Sequence, residues 1–497
     1  MPTLDILVVS DLHFVERANG SCRHPCRRTE LGLVLMRKAW LRLKHLGIRP
    51  DVVVLLGDAV DDGLAEGAEF DLAALADALR GFGVPCLAVH GNHDGPVPAY
   101  ERVFGTAPGL HTVNGVGLIV FNDAVGPGDV TTRSAEDLRI VEDAAQQNPG
   151  LPLVALQHNP LHPAILADYP YMLTNGDAVL AAYARAGVVA SLSGHYHVGQ
   201  GPSVLDGVAY YTAPALCEAP FGFAHVRIKG RDVRVQEHAL RLDAAPVTDV
   251  HCHTEFAYCG KTVSAARCLA VSEALGVGMV CLTEHAFQLY FDAEEAWSFL
   301  WQVEPERAAR AWRERRGRMD EYRRFVRPLR RPGVRLGLEV DLLADGRLLL
   351  APGDREGWDL FVGAIHTIPG FVKGTTSQAD AESLFMRETE RLLTHRVTVL
   401  AHPFRFFTRA GLATPAHLYP ALAALLARYG VAAEINFHTN VPDPAFVREC
   451  VRQGVRLALG SDSHDITETG EFAPHLRVLE QAGVSRSEWD RVLLSLP

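Results

Sequence analysis

Short, continuous apolar runs recur along the chain, and nearly all of them end in histidine, aspartate, glutamate or asparagine. In the first half these runs are Leu4–Val9, Val52–Leu56, Val84–Val89, Leu153–Leu156 and Val188–Ser193. Short apolar runs without alternation are typical of strands buried on both faces, as in parallel sheets. The segments between them, such as 31–46 and 70–80, have helical spacing. The pattern predicts an α/β layer fold that binds ligands at the carboxyl edge of its strands.

The residues that follow these runs are of types that bind divalent cations: Asp11, His13, Asp58, Asn92, His158, His195 and His197. Oxygen and imidazole ligands at one edge suit Mn, Fe or Zn. Asp58 can bridge two such ions about 3.5–4 Å apart, which would hold a hydroxide for in-line attack on phosphorus. His93 follows the ligand Asn92 and is predicted as the general acid, with Asp94 as its orienting partner.

These motifs resemble the calcineurin-like metallophosphoesterase family, and within it the cyclic-nucleotide phosphodiesterases. The matching motifs are Asp11-x-His13, Gly57-Asp58, Gly91-Asn92-His93-Asp94, His158 and Gly194-His195-x-His197, in the family's order. The resemblance implies a dimetal phosphoesterase over roughly the first 240 residues. One metal would be held by Asp11, His13, Asp58 and His197, and the other by Asp58, Asn92, His158 and His195.

The pattern restarts in the second half, where seven more apolar runs end in polar residues. Those residues are His251 and His253, Glu284 and His285, Glu339, His366, His402, Asn436, and Asp462 and His464. Two histidines alone, as at 251 and 253, would be ordinary surface residues, but the series favours a metal site. Because helical segments lie between the runs, the sequence predicts a parallel β/α barrel. Seven strands instead of the common eight indicate a smaller, distorted (β/α)7 ring.

The second half resembles the polymerase and histidinol phosphatase (PHP) family, mostly its histidinol-phosphatase branch. The matching motifs are Thr283-Glu284-His285-Ala286, Gly337-Leu338-Glu339-Val340-Asp341 and Gly460-Ser461-Asp462-Ser463-His464. The resemblance implies two or three divalent metals (Zn, Mn or Fe), with Glu339 and Asp462 as bridges. The implied ligands are His251, His253, His285, Glu339, His366, His402, Asp462 and His464.

One departure from that branch leaves the third metal open. Where the branch commonly has another histidine after His253, this chain has Tyr258-Cys259-Gly260-Lys261. Either Cys259 coordinates a metal or Lys261 binds the substrate phosphate instead. Arg405, which lies just after His402, is another phosphate-binding candidate by position.

The length of 497 residues predicts two domains, 1–243 and 247–497, joined by a short, turn-like connection. The second domain contains an insertion at about 287–332 that is rich in Trp and Arg. Its helical periodicity predicts one long helix with a packed face and a charged face. We expect Arg324 or Arg327 to reach over the barrel mouth and grip an anionic substrate.

Composition narrows the classes of protein to consider. The net charge of -11 disfavours a broad nucleic-acid surface. The nine cysteines are scattered, so a disulfide framework is not expected. Cys22 and Cys26 form either a small metal clip or an ordinary loop, and Arg23, Arg27 and Arg28 either clamp a phosphate or are solvated. The sequence has neither a long apolar run nor a basic leader, so we expect a cytoplasmic enzyme without a membrane partner.

Together these features predict a bifunctional, metal-dependent phosphoesterase that acts on a small phosphorylated metabolite or nucleotide. The first domain would cleave a phosphodiester or cyclic phosphate, and the second would remove the resulting monoester. Two alternatives stay open. A nuclease or nucleic-acid repair enzyme is favoured by the arginine-rich insertion and disfavoured by the acidic total charge. A single catalytic domain with a regulatory partner domain is favoured by the departure at Lys261.

Overall fold

The chain is described by a computed structural model that covers residues 1–17, 24–242, 247–314 and 317–496. It forms two compact units, Met1–Arg241 and Leu242–Pro497. Cys22 and Arg23 lie outside the described residues, so the metal clip proposed for Cys22 and Cys26 stays a prediction. Within the described ranges, no helix has both the length and the apolar character needed to cross a membrane.

The described residues of the first unit form two large sheets and one two-stranded sheet. Its strands are β1 Thr3–Val9, β2 Val52–Leu55, β3 Cys86–Ala88, β4 Gly109–Val113, β5 Val116–Val120, β6 Ala124–Val125, β7 Thr131–Thr132, β8 Leu153–Leu156, β9 Ala190–Ser193, β10 Gln200–Leu205, β11 Val208–Thr212, β12 Gly222–Lys229 and β13 Asp232–Ala239. One sheet has the order β13-β12-β1-β2-β3 and the other β10-β11-β9-β8-β5-β4, while β6 and β7 pair separately. β1, β2 and β3 run parallel to one another, as do β5, β8 and β9.

The two sheets share one apolar core. Leu4, Ile6 and Val8 alternate along β1 and therefore lie on one face of their sheet. They belong to the same buried cluster as Val154 and Leu156 of β8 in the other sheet. A second buried cluster packs the opposite face of that other sheet against helices. The predicted α/β sandwich is therefore confirmed for this unit.

Five helices flank these sheets in the described part of this unit, and the first two match the segments 31–46 and 70–80 predicted from helical spacing. They are α1 Gly32–His45, α2 Ala68–Arg80, α3 Val97–Phe104, α4 Ala135–Gln147 and α5 Gly176–Ala186. Ser134 caps the N-terminus of α4, because its side chain accepts a hydrogen bond from the Asp137 N–H. The loops between strands and helices carry the predicted ligands at the carboxyl ends of β1, β2, β3, β8 and β9.

The second unit is built on a closed barrel of seven parallel strands, as the sequence predicts. The strands are β14 Val247–Cys252, β15 Val277–His285, β16 Val334–Val340, β17 Leu360–Gly363, β18 Val399–Leu400, β19 Ala432–Asn436 and β20 Leu457–Gly460. β14 closes the ring by pairing with β20 at Asp249 and Leu459. Every predicted polar strand end therefore lies at the same rim of the barrel.

The helices of the second unit alternate with these strands. They are α6 Ala265–Ala274, α7 Ala286–Tyr290, α8 Ala293–Ser298, α9 Leu300–Val303, α10 Pro305–Arg313, α11 Met319–Val326, α12 Gln378–Leu393, α13 Arg405–Ala410, α14 Tyr419–Tyr429, α15 Pro444–Arg452, α16 Ala473–Gln481 and α17 Trp489–Val492. Short 3₁₀ turns occur at Thr29–Leu31, Pro127–Asp129, Arg327–Leu329, Ala416–Leu418 and Arg486–Glu488.

The insertion differs from its prediction, because it forms the series of short helices α7 to α11 instead of one long helix. Asp292 caps α8 by accepting from the Glu295 N–H, which starts a new helix there. Phe299 has φ 52° and separates α8 from α9. Pro305 begins α10, and a proline inside a helix would break the hydrogen-bond ladder. The periodicity was helical, but these residues interrupt it.

Candidate metal centres

The first candidate centre lies at the carboxyl edge of the first unit's strands, around the buried carboxylate of Asp58. One of its oxygens lies 3.6 Å from Nε2 of His13 and 3.4 Å from Nε2 of His158. Nε2 of His158 also lies 3.2 Å from Oδ1 of Asn92. The potential ligand atoms of Asp58, His158 and His195 lie within 4.8 Å of one another, as do those of Asp11, His13 and His197. Asp58 therefore lies between two ligand groups, as a bridging carboxylate would.

The donor atoms of this centre fit cations. Nε2 of His13 and Nε2 of His197 lie only 3.2 Å apart. Buried Oδ1 of Asp11 and Nε2 of His195 have no hydrogen-bond partner among the described residues, although buried polar atoms are normally paired. Burial lowers the pKa of His195 to about 3, so its imidazole stays neutral. Neutral imidazoles and ionised carboxylates are the forms that coordinate metals.

The second candidate centre surrounds Glu339, the last but one residue of β16. Five imidazoles lie within 3.8 Å of its two oxygens: those of His251, His253, His285, His366 and His402. Glu339 is fully buried, and its Oε2 lacks a hydrogen-bond partner among the described residues. Nε2 of His251 and Nδ1 of His285 are likewise buried without such a partner. A buried carboxylate among this many imidazoles suits divalent cations.

Asp462, after β20, is the second carboxylate of this centre. Its Oδ1 lies 3.0 Å from Nε2 of His253 and 3.7 Å from Nε2 of His251. The ligand atoms of His253, His285 and His464 form a further group within 4.8 Å. Burial lowers the pKa of His285 to about 4 and that of His464 to about 2, so both rings stay neutral. The structure thus brings together all eight residues that the resemblance named.

The comparison with protein families bears on the first centre. Residues 4–199 match the model of the calcineurin-like phosphoesterase family, and this stretch contains every predicted ligand of that centre. Residues 4–199 are a calcineurin-like phosphoesterase domain. Domains of this kind use a dinuclear divalent metal centre, so the chain contains a metal-dependent phosphoesterase. The family match does not extend to the second unit.

Solved structures with a similar arrangement cover about half of the chain. One is a dimetal phosphatase from Danio rerio, at 16% identity and a TM-score of 0.39, covering 48% of this chain and 99% of the other. Another is the protein TT1561 of Thermus thermophilus, at 15% identity and a TM-score of 0.33, covering 47% of this chain and 98% of the other. No curated protein matches the chain in sequence.

Several candidate ligands of both centres have a left-handed backbone conformation, which directs their side chains toward the centres. Positive φ angles occur at Asp11, His13, Asp58, His195, His402 and Asp462. Each of them follows the end of a strand by two to four residues. A left-handed conformation costs a non-glycine residue roughly 1–2 kcal/mol. Such strain gathers at functional sites, where the surrounding structure holds it in place.

Two motif glycines of the phosphoesterase domain allow close packing behind its ligands. A Cβ at Gly91 would lie 2.2 Å from Oδ1 of Asp58, and one at Gly194 would lie 1.9 Å from Oγ of Ser10. That Ser10 hydroxyl donates to Oδ2 of Asp11 at 2.5 Å, and the His195 N–H donates to the same oxygen at 3.0 Å. Any side chain at these glycines would therefore displace a candidate ligand.

Two carboxylates that the sequence did not single out orient histidines of the phosphoesterase domain. Oε1 of Glu218 lies 2.7 Å from Nδ1 of His197, and Oδ1 of Asp61 lies 3.2 Å from Nδ1 of His13. The Glu218 contact places the proton of His197 on Nδ1 and leaves its Nε2 free for a metal. Nδ1 of His13 also lies 3.2 Å from Nη1 of Arg27. Arg27, one of the predicted phosphate clamps, forms ion pairs with both carboxylates. Glu218 follows no strand, so the strand-end pattern could not reveal it.

The expected pairing of His93 with Asp94 is absent, because each residue has other partners. Nδ1 of His93 lies 2.6 Å from the carbonyl oxygen of Asp61. Asp94 is buried and accepts hydrogen bonds from the N–H groups of Ala59, Val60 and Gly91 at 2.7–3.2 Å. Its carboxylate therefore ties the loops after β2 and β3 together, and the Asp61 carbonyl orients His93 instead.

Histidines of the second centre are oriented in the same way. Nδ1 of His251 lies 2.8 Å from Oε1 of Glu434, Nδ1 of His253 lies 3.0 Å from Oε1 of Glu284, and Nδ1 of His366 lies 2.7 Å from Oδ1 of Asp341. Glu434 also accepts from the His402 N–H at 2.6 Å. Glu434 lies within β19, two residues before the polar strand end, so the pattern missed it.

A cavity of about 300 Å³ opens at the second centre, and it separates the predicted substrate-binding residues into two groups. Lys261 and Arg405 line the cavity, together with Cys259. Arg405 donates to Oδ2 of Asp462 at 2.7 Å. Arg324 and Arg327 are exposed and do not line this cavity, and their contact with an anionic substrate stays a prediction. The broken insertion instead contributes Trp297 and Phe299 to the wall.

Proposed function

We propose that the chain is a bifunctional phosphoesterase. Its first centre cleaves a phosphodiester or cyclic phosphate, and its second centre removes a phosphate from a monoester of a small metabolite or nucleotide. The single observation that carries this proposal is the gathering of separate imidazole and carboxylate sets, one around Asp58 and one around Glu339 and Asp462. Two complete sets on one chain favour two hydrolytic sites over one site with a regulatory domain.

In the first centre, divalent ions such as Mn, Fe or Zn would be held by the two ligand groups that share Asp58. When bound, they supply the charge that activates a water molecule and neutralises phosphoryl oxygens. The water oxygen forms a bond to phosphorus while the bond to the leaving ester oxygen breaks. With its Nδ1–H held by the Asp61 carbonyl, His93 presents Nε2 to that oxygen, and the doubly protonated ring would give it the Nε2 proton and become neutral.

In the second centre, the eight candidate ligands would hold two or three divalent ions, and the resemblance to the PHP family favours phosphomonoester hydrolysis. Arg405 lines the cavity and donates to Asp462, and from this position its guanidinium would contact the phosphate of a bound monoester. Lys261 lies on the same cavity wall as a second positive charge. Both cations would offset the two negative charges of a phosphomonoester dianion. A phosphodiester carries only one negative charge.

The proposal is tested by separating the two centres in the full chain. Purified wild type, Asp58→Ala and Glu339→Ala are assayed on cyclic nucleotides, linear diesters and monoesters with added Mn²⁺. We expect Asp58→Ala to lose diester hydrolysis and Glu339→Ala to lose monoester hydrolysis, each by about 10³-fold or more. The exposed carboxylates Asp232 and Glu304, changed to alanine, serve as controls.

Two outcomes would reject the proposal. Loss of both activities in Asp58→Ala would mean that one centre does all the chemistry. Release of inorganic phosphate from a cyclic nucleotide, unchanged in both variants, would rule out sequential use of the two centres.

A further inference from the structure

The cavity at the second centre has walls of different chemical character. His285, His366 and His464 form the floor at the candidate ligands, and Arg405 and Arg409 add positive charge. A third part of the lining is aromatic and comes from the insertion. A phosphate alone needs only the first two groups. If the aromatic part binds the substrate, it therefore contacts the portion other than the phosphate.

Phe287, Trp297 and Phe299 form this aromatic part, and the last two are placed at a cost. Trp297 is 47% exposed, although an indole of this size gains most by burial. Phe299 adopts φ 52° and ψ 12°, which costs a residue with a side chain roughly 1–2 kcal/mol. Its ring packs on Phe287 and Trp301, with ring centroids 5.6 and 5.7 Å apart. The left-handed residue thus brings its ring to the cavity wall beside Phe287.

We propose that Trp297 and Phe299 determine the specificity of the second centre, by stacking on a planar aromatic or heteroaromatic ring of the phosphomonoester. This inference rests on the proposed monoesterase function of that centre and adds the chemical class of its substrate. The phosphate lies toward the imidazoles and Arg405, and the ring lies toward the insertion. A volume of about 300 Å³ is at the small end of ligand pockets, so one ring system and a short connection to the phosphate fill it.

The test compares two probes that differ only by the ring: adenosine 5′-monophosphate and ribose 5-phosphate. They are assayed on the full chain carrying Asp58→Ala, so that turnover reports the second centre. We expect the ratio of kcat/KM values, nucleotide over sugar phosphate, to exceed one. Trp297→Ala should lower this ratio about tenfold, the effect of removing one base stack. Trp297→Phe should retain most of it.

Val303 provides the matched control, because it is an exposed apolar residue of the same insertion and does not line the cavity. Val303→Ala should leave the ratio unchanged. An unchanged ratio in Trp297→Ala, or a ratio at or below one in its parent, would overturn the inference.

Calorimetric binding of the same two probes to the metal-loaded Asp58→Ala chain separates this inference from the function on which it rests. Tighter binding of the nucleotide, lost in Trp297→Ala, supports the stacking wall whether or not either probe is hydrolysed. Equal binding of the two probes overturns it. Absence of Glu339-dependent hydrolysis of both probes, with stacking intact, instead rejects the monoesterase function.

Discussion

At the scale of single residues, carboxylates outside the candidate ligand sets orient the imidazole rings of the histidines. Glu218 and Asp61 contact Nδ1 of His197 and His13, and Glu434 contacts Nδ1 of His251. Partners of this kind typically contribute 10–100-fold to metal affinity. The ligands themselves could be predicted, because each follows an apolar strand. Their partners could not, because only the folded chain brings distant residues such as His197 and Glu218 together.

Glu218→Ala should therefore weaken metal binding at the first centre about 10–100-fold. Diesterase activity of metal-stripped protein should require correspondingly more Mn²⁺ and should recover at saturation. Titration of activity against free Mn²⁺ measures this shift. Glu142, which forms an exposed pair with Arg185, gives the control variant Glu142→Ala. An identical titration curve for wild type and Glu218→Ala would contradict the orienting role.

Gly91→Ala should remove metal from the first centre, because the added Cβ would lie 2.2 Å from Oδ1 and 2.4 Å from the amide nitrogen of Asp58. The control is Gly201→Ala, where no heavy atom lies within 4 Å of the added Cβ. Elemental analysis of both purified variants should show loss of metal only for Gly91→Ala. Full metal content in Gly91→Ala would show that the loop can move without losing the site.

At the scale of elements, the buried parallel strands were predictable and the insertion was not. Continuous apolar runs identify buried parallel strands, and seven of them predicted the seven-stranded barrel. The insertion has helical periodicity throughout, but Asp292 and Pro305 each start a new helix. Between them, Phe299 has a positive φ and separates α8 from α9. Periodicity reports which face is apolar. It does not report where a helix must end, and so it predicted one long helix in place of the short helices α7 to α11.

The edge strand β13 gives the first unit a defined sensitivity to acid. Burial, with the nearby charges of Arg42 and His225, lowers the pKa of His238 to about 4. Its ring stacks on Phe223 at 5.1 Å. Because the unfolded chain binds this proton near pH 6.5 and the folded chain only near 4, stability falls as the pH drops through that window. In His238→Gln, the urea concentration at the midpoint of unfolding should change less between pH 6.5 and pH 4 than it does in wild type. Equal slopes would contradict the assignment.

At the scale of the whole molecule, we expect two metal centres that bind their ions independently. Each compact unit contains its own complete set of candidate ligands, and no residue of one set belongs to the other unit. The phosphoesterase family match covers only residues 4–199. The metal content of the second centre is therefore the quantity to measure directly.

That measurement is elemental analysis of the purified full chain and of the variants Asp58→Ala, Glu339→Ala and the double variant. The account predicts four or five divalent ions per wild-type chain. Asp58→Ala should retain two or three of them, Glu339→Ala should retain two, and the double variant should retain none. A wild type with only two ions, all removed by Asp58→Ala and none by Glu339→Ala, would contradict the account.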